Sequence, residues 1–330
     1  MARPGPDQPL HAVRHAVRHA LTGLHEPGPV LVACSGGADS LALAAVTARV
    51  AARLGRPAGL VTVDHGLQEG SARRAQDVAR WARTAGLAPV EVATVDVAGR
   101  PGGPEAAARE ARYAALTDLA RRHGAPAVLL GHTRDDQAET VLLALARGAG
   151  PRGLSGMPRR RESGGVALLR PLLGVARAAT RKTCAALGLA PWDDPHNADP
   201  AYARARVRAD VLPALVAALG PAVVDNLART AEQLAADTAV LDDLAERALT
   251  GAEDPAGLSV QVLAGLPAAV RSRVLHRWAA RLGAPGAALS HRHVAALDAL
   301  VTDWHGQGVT RLPSGVGVAR VAGSLIRVDA

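Results

Sequence analysis

A chain of 330 residues that is 48% hydrophobic is long enough to bury more than one core, and two domains are expected. A formal charge of +8 favours an anionic partner such as nucleic acid, while two cysteines standing far apart, Cys34 and Cys184, argue against a disulfide framework or a thiolate metal site. No run approaches the roughly 18 uninterrupted apolar residues of a membrane span, and Met1 to Leu10 lacks the apolar core of a signal peptide, so a cytoplasmic protein with no membrane partner is expected.

His11-Ala-Val-Arg14 and His15-Ala-Val-Arg18 repeat at a four-residue step. This predicts a helix with Val and Leu on one face and His and Arg on the other, an N-terminal extension over 1–27. Val30–Cys34 then reads as a buried strand that runs through Ser35-Gly36-Gly37 into a helix beginning near Ala38. Glycines let the backbone turn sharply and approach a ligand, and the helix start offers N–H groups and a partial positive charge to an anion. Gly, Ser and Asp also dominate plain tight βα connections, but Ser at both ends with Asp39 inside the turn favours the cradle over that alternative. The loop has neither the Lys of a G-x-x-x-x-G-K-S/T sequence nor the spacing of G-x-G-x-x-G, which removes two common nucleotide folds.

Gly59–Asp64 reads as the next strand and ends in Asp64-His65-Gly66-Leu67-Gln68, a carboxylate and an imidazole facing the phosphate cradle, although local capping explains the pair as well. Pro89–Val95 is a third strand. A Pro/Gly break at 100–104 precedes a helix from Glu105 to His123, on which Glu105, Arg109 and Arg112 share one polar stripe beside Tyr113. A helix-surface ion pair would look the same.

Ala127–Leu130 leads into Gly131-His132-Thr133-Arg134-Asp135-Asp136-Gln137-Ala138-Glu139-Thr140. Asp136 and Glu139, three residues apart on a helix start, share one face. The helix dipole alone accounts for Asp135 more readily than for Glu139, a full turn in. The βαβ repetition over 29–131 predicts an α/β fold, a doubly wound, mostly parallel sheet with its ligands at the carboxyl ends of the strands.

Pro151 to Gly165 reads as a mobile Gly/Pro/Arg loop, and Arg159-Arg160-Arg161 within it as solvated. The alternating arginines Arg204, Arg206 and Arg208 suit a capping or loop region that presents guanidinium groups to phosphate. Helices over 222–249, 268–281 and 291–303, then a hairpin or meander over 308–328, predict a mainly helical second domain over 220–330, following a first domain over 28–219.

Ser35-Gly36-Gly37-Ala38-Asp39-Ser40 resembles the S-G-G-x-D-S signature of the PP-loop ATP pyrophosphatases. Taken in order with Val63-Asp64-His65-Gly66-Leu67, Glu105-x3-Arg109-x2-Arg112-Tyr113, the block Gly131 to Thr140, Arg170-Pro171-Leu172-Leu173 and Tyr202-x-Arg204-x-Arg206-Val207-Arg208, it resembles the tRNA(Ile)-lysidine synthetase family over residues 28 to 215. His196 and Ala205 depart from the family's usual Ser and Asn. After Gly220 the resemblance reduces to a helical appendage.

The resemblance implies a Rossmann-like PP-loop domain and a two-step ligation on the wobble cytidine of tRNA(Ile) with a CAU anticodon. ATP adenylates the base oxygen, and L-lysine then displaces AMP through its side-chain amine. It implies that Ser35, Gly36, Gly37, Ala38, Asp39, Ser40, Asp64, His65 and His132 hold the nucleotide and that Asp39 binds Mg²⁺. A lysine ammonium with pKa near 10.4 is only about one part in 10³ neutral at pH 7. Asp136 and Glu139 are the candidates to recognise that cation, with Asp136 its base. Arg109 and Arg112 would bind the lysine carboxylate or the phosphates, and Arg204, Arg206 and Arg208 a carboxylate or the tRNA backbone. No protein partner is implied. A PP-loop thiolase would need further cysteines, and a noncatalytic ATP- or RNA-binding module would leave the carboxylate pair without a task.

Overall fold

The structure, a computed structural model, describes residues 8–64, 66, 70–95, 104–194, 199–286 and 288–329, with the side chains of 104–106 and 329 excepted. His65, Leu67 and Gln68 of the second motif, and Pro195, His196 and Asn197, lie outside them. The chain divides into two compact units, Met1–Gln233 and Leu234–Ala330. The division falls inside a long helix, whereas the sequence reading places it at the Gly220 turn.

In the first unit, α1 (Gln8–Thr22) buries Val13, Val17 and Leu21 at four-residue steps and leaves His11, Arg14, His15, Arg18 and His19 exposed. Its apolar stripe shares one core with α2 and α7 below, so it is a layer of this unit instead of an extension to it. The elements that follow are β1 (Val30–Ala33), α2 (Ala38–Arg53), β2 (Ala58–Asp64), α3 (Ser71–Thr84), β3 (Val90–Thr94), α4 (Pro104–Arg122), β4 (Ala127–Leu130) and α5 (Arg134–Ala146). After them come α6 (Pro151–Leu154), β5 (Arg160–Ser163), β6 (Val166–Leu169), α7 (Arg177–Ala186), α8 (Ala203–Arg206), α9 (Leu212–Leu219) and α10 (Val223–Ala252).

The sheet order is β3-β2-β1-β4-β6-β5, parallel except for β5. Helices cover both faces, which is why β1 and β4 are near-continuous apolar runs. Alternation along β1 sends Val30 and Val32 to the core shared with α1, α2 and α7, and Leu31 to the opposite core with Leu116 and Leu119 of α4. The chain leaves β1 for β2 on one side, and β4 returns on the other. The crevice between the ends of β1 and β4 is therefore the topological switch point, where ligands of open α/β sheets bind.

The segment read as a mobile loop is ordered. α6 is followed by the β5–β6 hairpin, turned by Gly164 (φ +55) and Gly165 (φ +79). Two adjacent residues with positive φ make the tight turn that matches strand twist, so the Gly-Gly pair is a hairpin signal. Arg160 pairs with Glu26 at 3.2 Å and Glu162 at 2.9 Å along this edge strand. Residues 203–208 are likewise helical: α8 runs through a π-helical turn, Val207–Val211, into α9.

The second unit packs the latter part of α10 with α11 (Val260–Ala264), α12 (Ala268–Arg281) and α13 (His291–Thr302), and carries an antiparallel sheet. That sheet comprises β7 (Glu253–Asp254), β8 (Gly257–Ser259), β9 (Thr310–Arg311), β10 (Val316–Val321) and β11 (Ser324–Asp329), in the order β7-β8-β11-β10-β9. Arg273 and Arg277 of α12 pair with Asp242 at 3.1 Å and Glu246 at 2.6 Å on α10.

Candidate active site

A cleft of about 660 Å³ opens at the switch point. Its floor is the Ser35–Ser40 loop. Gly36 adopts φ +87, and a Cβ there would meet Val78 Cγ2 at 3.0 Å, so the turn requires glycine. Ser40 braces the loop: its Oγ accepts from the Ser35 N–H at 3.1 Å and donates to the Gly37 carbonyl at 3.0 Å. The N-cap of α2, Gly37, makes no side-chain capping bond, which leaves first-turn N–H groups available to an anion. Gly131 closes the other side of the crevice, its backbone against Ser40 and Asp39.

The block Asp135 to Thr140 has a separate task for nearly every residue. Asp135 accepts the backbone N–H of Arg177 at 2.8 Å. Asp136 Oδ2 accepts the N–H and hydroxyl of Thr133 at 2.7 and 2.8 Å, forming a capping box at the start of α5. Gln137 clamps Met157, donating to its carbonyl at 3.1 Å and accepting its N–H at 2.8 Å. Glu139, fully buried, accepts from Arg177 Nη1 at 3.1 Å and from Arg208 Nε and Nη2 at 2.8 and 3.0 Å. Thr140 donates to the Asp136 carbonyl at 2.8 Å.

Arg177, at the start of α7, joins this block to the phosphate loop. Its Nη2 donates to Asp136 Oδ1 at 2.7 Å and its Nε lies 3.5 Å from Asp39 Oδ2. The Thr180 hydroxyl also donates to Asp39. Burial lifts the Asp39 carboxyl above its ordinary value, against the pull of Thr180 and Arg177. Burial acts the same way on Asp136, but there the Arg177 charge and the Thr133 bonds prevail and hold the carboxyl below its ordinary value. These bonds favour the ionised form of Asp136, which already faces the guanidinium groups of Arg177 and Arg208. Burial also pushes His132 down to about 3, with Arg170, Arg112 and Arg109 adding to it against Asp136. The buried Nδ1 of His132 has no hydrogen-bond partner among the described residues.

Ser35, Gly37, Ala38, Asp39, Ser40, Asp64, Arg112, His132, Asp136 and Arg208 all line the cleft, and Gly36 shapes its floor. Asp64 also accepts the Gly66 N–H at 3.0 Å, the local capping that sequence allowed. Four expected residues stand elsewhere: Glu139, expected to meet the ammonium, is fully buried off the cleft lining, its carboxylate taken by Arg177 and Arg208. Arg109 stacks over Tyr113 at 5.1 Å. Arg204 donates to Thr140 at 3.2 Å, and Arg206 caps the exposed carbonyls of Pro200 and Ala201. Their alternation suits a capping or loop region; on a helix, positions two apart face different ways, so Arg206 is turned from Arg208. Sequence reasoning missed Arg177, Thr180, Arg181, Trp192 and Arg74, the last of which stacks on Trp192 at 3.5 Å.

A parallel sheet with an anion-binding Ser-Gly-Gly loop at its switch point and no Walker lysine is the architecture of PP-loop ATP-utilising enzymes, and a family profile described as PP-loop domain matches residues 10–215. A second profile, the TilS substrate binding domain, matches 258–326, within the region read from sequence as a mainly helical, tRNA-binding domain with a terminal hairpin or meander. The tRNA(Ile)-lysidine synthase of Salinispora tropica is 71% identical over 97% of both chains, and that of Streptomyces coelicolor is 56% identical over 92% of this chain and 86% of its own. The chain belongs to the tRNA(Ile)-lysidine synthase family of ligases. A U34-tRNA thiolase, NcsA from Methanococcus maripaludis, shares the fold at TM-score 0.55 and 18% identity, over 68% of this chain and 79% of that one.

Proposed function

We propose that the protein joins L-lysine to the wobble cytidine of a tRNA(Ile) bearing a CAU anticodon, using ATP. The observation that carries this reading is one cleft in which an anion cradle, Asp39, Asp136, Arg177 and Arg208 converge, with the buried Glu139 holding the two arginines in place. In the first step the base oxygen attacks the α-phosphorus, the bond to the β-phosphate breaks, and pyrophosphate leaves. The N-terminus of α2 and the loop N–H groups hold the phosphates, and Arg112 and Arg208 supply positive charge on the wall. In the second step the lysine amine attacks the activated base carbon and AMP departs. Asp136, kept ionised, binds the ammonium and aims it; the ammonium gives up a proton to solvent before the free amine attacks, and His132 offers its unpartnered ring nitrogen to a bound base.

Asp39 is the carboxylate that meets the cradle and would hold Mg²⁺. Among the described residues no group of three His, Cys, Asp or Glu is arranged to bind a metal, which suits an ion that takes its other ligands from phosphate and water. An ion held there would supply positive charge to the phosphates. A thiolase reading lacks its chemistry: the chain's two cysteines are buried, and burial pushes the Cys184 thiol up to about 11. Among the described residues no single helix is long and apolar enough to cross a membrane, consistent with a cytoplasmic enzyme.

The test is incorporation of labelled lysine into tRNA transcripts, with and without ATP. ATP-dependent labelling of the CAU transcript, and none when its wobble base is changed, is expected. Pyrophosphate release without labelling would move the reading to another nucleophile.

A further inference from the structure

Leu, Val and Ala fill the cores of this protein; Phe is absent, and four Trp and two Tyr are its only large aromatic side chains. Trp81 packs against the core of α1, α2 and α7, Trp278 is buried in the second unit, and Trp304 is exposed. Trp192 is placed differently: half-buried, it lines the cleft instead of a core. Where aliphatic side chains do the packing, an indole in the wall of a polar cleft points to a ligand with a flat face.

The backbone ties this ring to the phosphate loop. The Trp192 N–H donates to the Gly36 carbonyl at 3.0 Å, and a Cβ on Gly37 would lie 3.8 Å from the Trp192 carbonyl oxygen. Asp193, the next residue, pairs with Arg181 of α7 at 2.5 Å. From α3, the Arg74 guanidinium lies over the indole, 3.5 Å from its centroid, which is the contact distance of stacked planar groups. An anion is repelled by the negative face of an aromatic ring, so phosphate belongs on the loop and not on Trp192. A nucleobase, in contrast, stacks on indole rings and on guanidinium planes alike.

We propose that Trp192, with Arg74 stacked on it, is the nucleobase platform of this cleft, holding a base flat against the indole–guanidinium pair beside the phosphate loop. Two bases enter the cleft in the proposed reaction, the adenine of ATP and the wobble cytosine. The adenine case stands on ATP use alone, and the cytosine case rests on the reading of the substrate as tRNA.

The test is binding without turnover, by isothermal titration of the full chain, so its failure leaves the lysine-joining reaction to its own assay. ATP is titrated in the absence of RNA, beside inorganic tripolyphosphate, which has no base. A CAU anticodon stem-loop is titrated in the absence of ATP, beside the same RNA made abasic at the wobble position. Trp192→Leu, which keeps apolar bulk without a π-face, is expected to lose at least about ten-fold in affinity for ATP or for the stem-loop, with the base-free counterpart unchanged. Which of the two falls identifies the base. Trp192→Phe keeps a π-face and is expected to lose less. With folding of both variants verified by circular dichroism, unchanged affinity for both ligands overturns the proposal. Equal losses with the base-free counterparts, or equal losses in the Leu and Phe variants, also overturn it, since Trp192 would then only brace the loop.

Discussion

Gly131→Ala places one methyl group between the end of β4 and the first turn of α2. The new Cβ would lie 2.9 Å from Ser40 Cα and N and 3.1 Å from the Asp39 carbonyl carbon. Carbon atoms pack at about 3.5–4.0 Å, so strand and helix must part by roughly 0.5–1 Å, and no flexible side-chain end is available to yield. Overpacking of this kind costs about 1–3 kcal/mol. The same displacement moves Asp39 and the phosphate cradle away from His132. Because a misplacement of about 1 Å can cost about 10²-fold, pyrophosphate release should fall on the order of 10- to 100-fold. The assay is tRNA-dependent pyrophosphate release at saturating ATP, beside thermal unfolding. Gly150→Ala is the control, since Gly150 has φ −66 and nothing within 4 Å of an added Cβ. Wild-type rate and stability in Gly131→Ala would refute the reasoning.

Gln137→Ala removes both bonds to the Met157 backbone and should lower stability by about 1–3 kcal/mol, read as a shifted urea midpoint at unchanged m. Glu139→Ala strips a buried carboxylate from two largely buried guanidiniums, those of Arg177 and Arg208; it should cost a similar, roughly 1–3 kcal/mol and raise the KM for lysine while that for ATP holds. Asp136 is held below its ordinary pKa, so its contribution is present above about pH 4 and lost as pH falls further, and Asp136→Asn should flatten that acid limb of the stability profile. Asp39 is shifted the other way: its ionised form burdens the fold at neutral pH, so Asp39→Asn should match or exceed wild-type stability while abolishing pyrophosphate release. tRNA affinity should fall steeply with salt, as a formal charge of +8 predicts, and a salt-indifferent affinity would count against phosphate contacts.

The first unit was legible where local chemistry is distinctive. The Val30–Ala33 run breaking at Gly36 announces strand, turn and helix, and the three-residue step from Asp136 to Glu139 places both carboxylates together. What Asp136 does there was not legible, because its proton affinity depends on Arg177, which is 41 residues away. Arg177 carries no local pattern: its meaning comes from three carboxylates contributed by two other motifs. Arg204, Arg206 and Arg208, expected together in a capping or loop region, lie on a helical segment that splits them among three environments. Gly164-Gly165 was read as a flexible loop although it is a hairpin turn. In the second unit only helix and hairpin periodicity could be read, since no cluster of chemical groups marks residues 258–326.

The central claim concerns one nucleoside. A CAU transcript incubated with the full chain, ATP and L-lysine, then digested and analysed by mass spectrometry, should yield a wobble cytidine heavier by one lysine less one water, with AMP and pyrophosphate formed in equal amount. An unmodified wobble cytidine under conditions where ATP is cleaved would contradict the account.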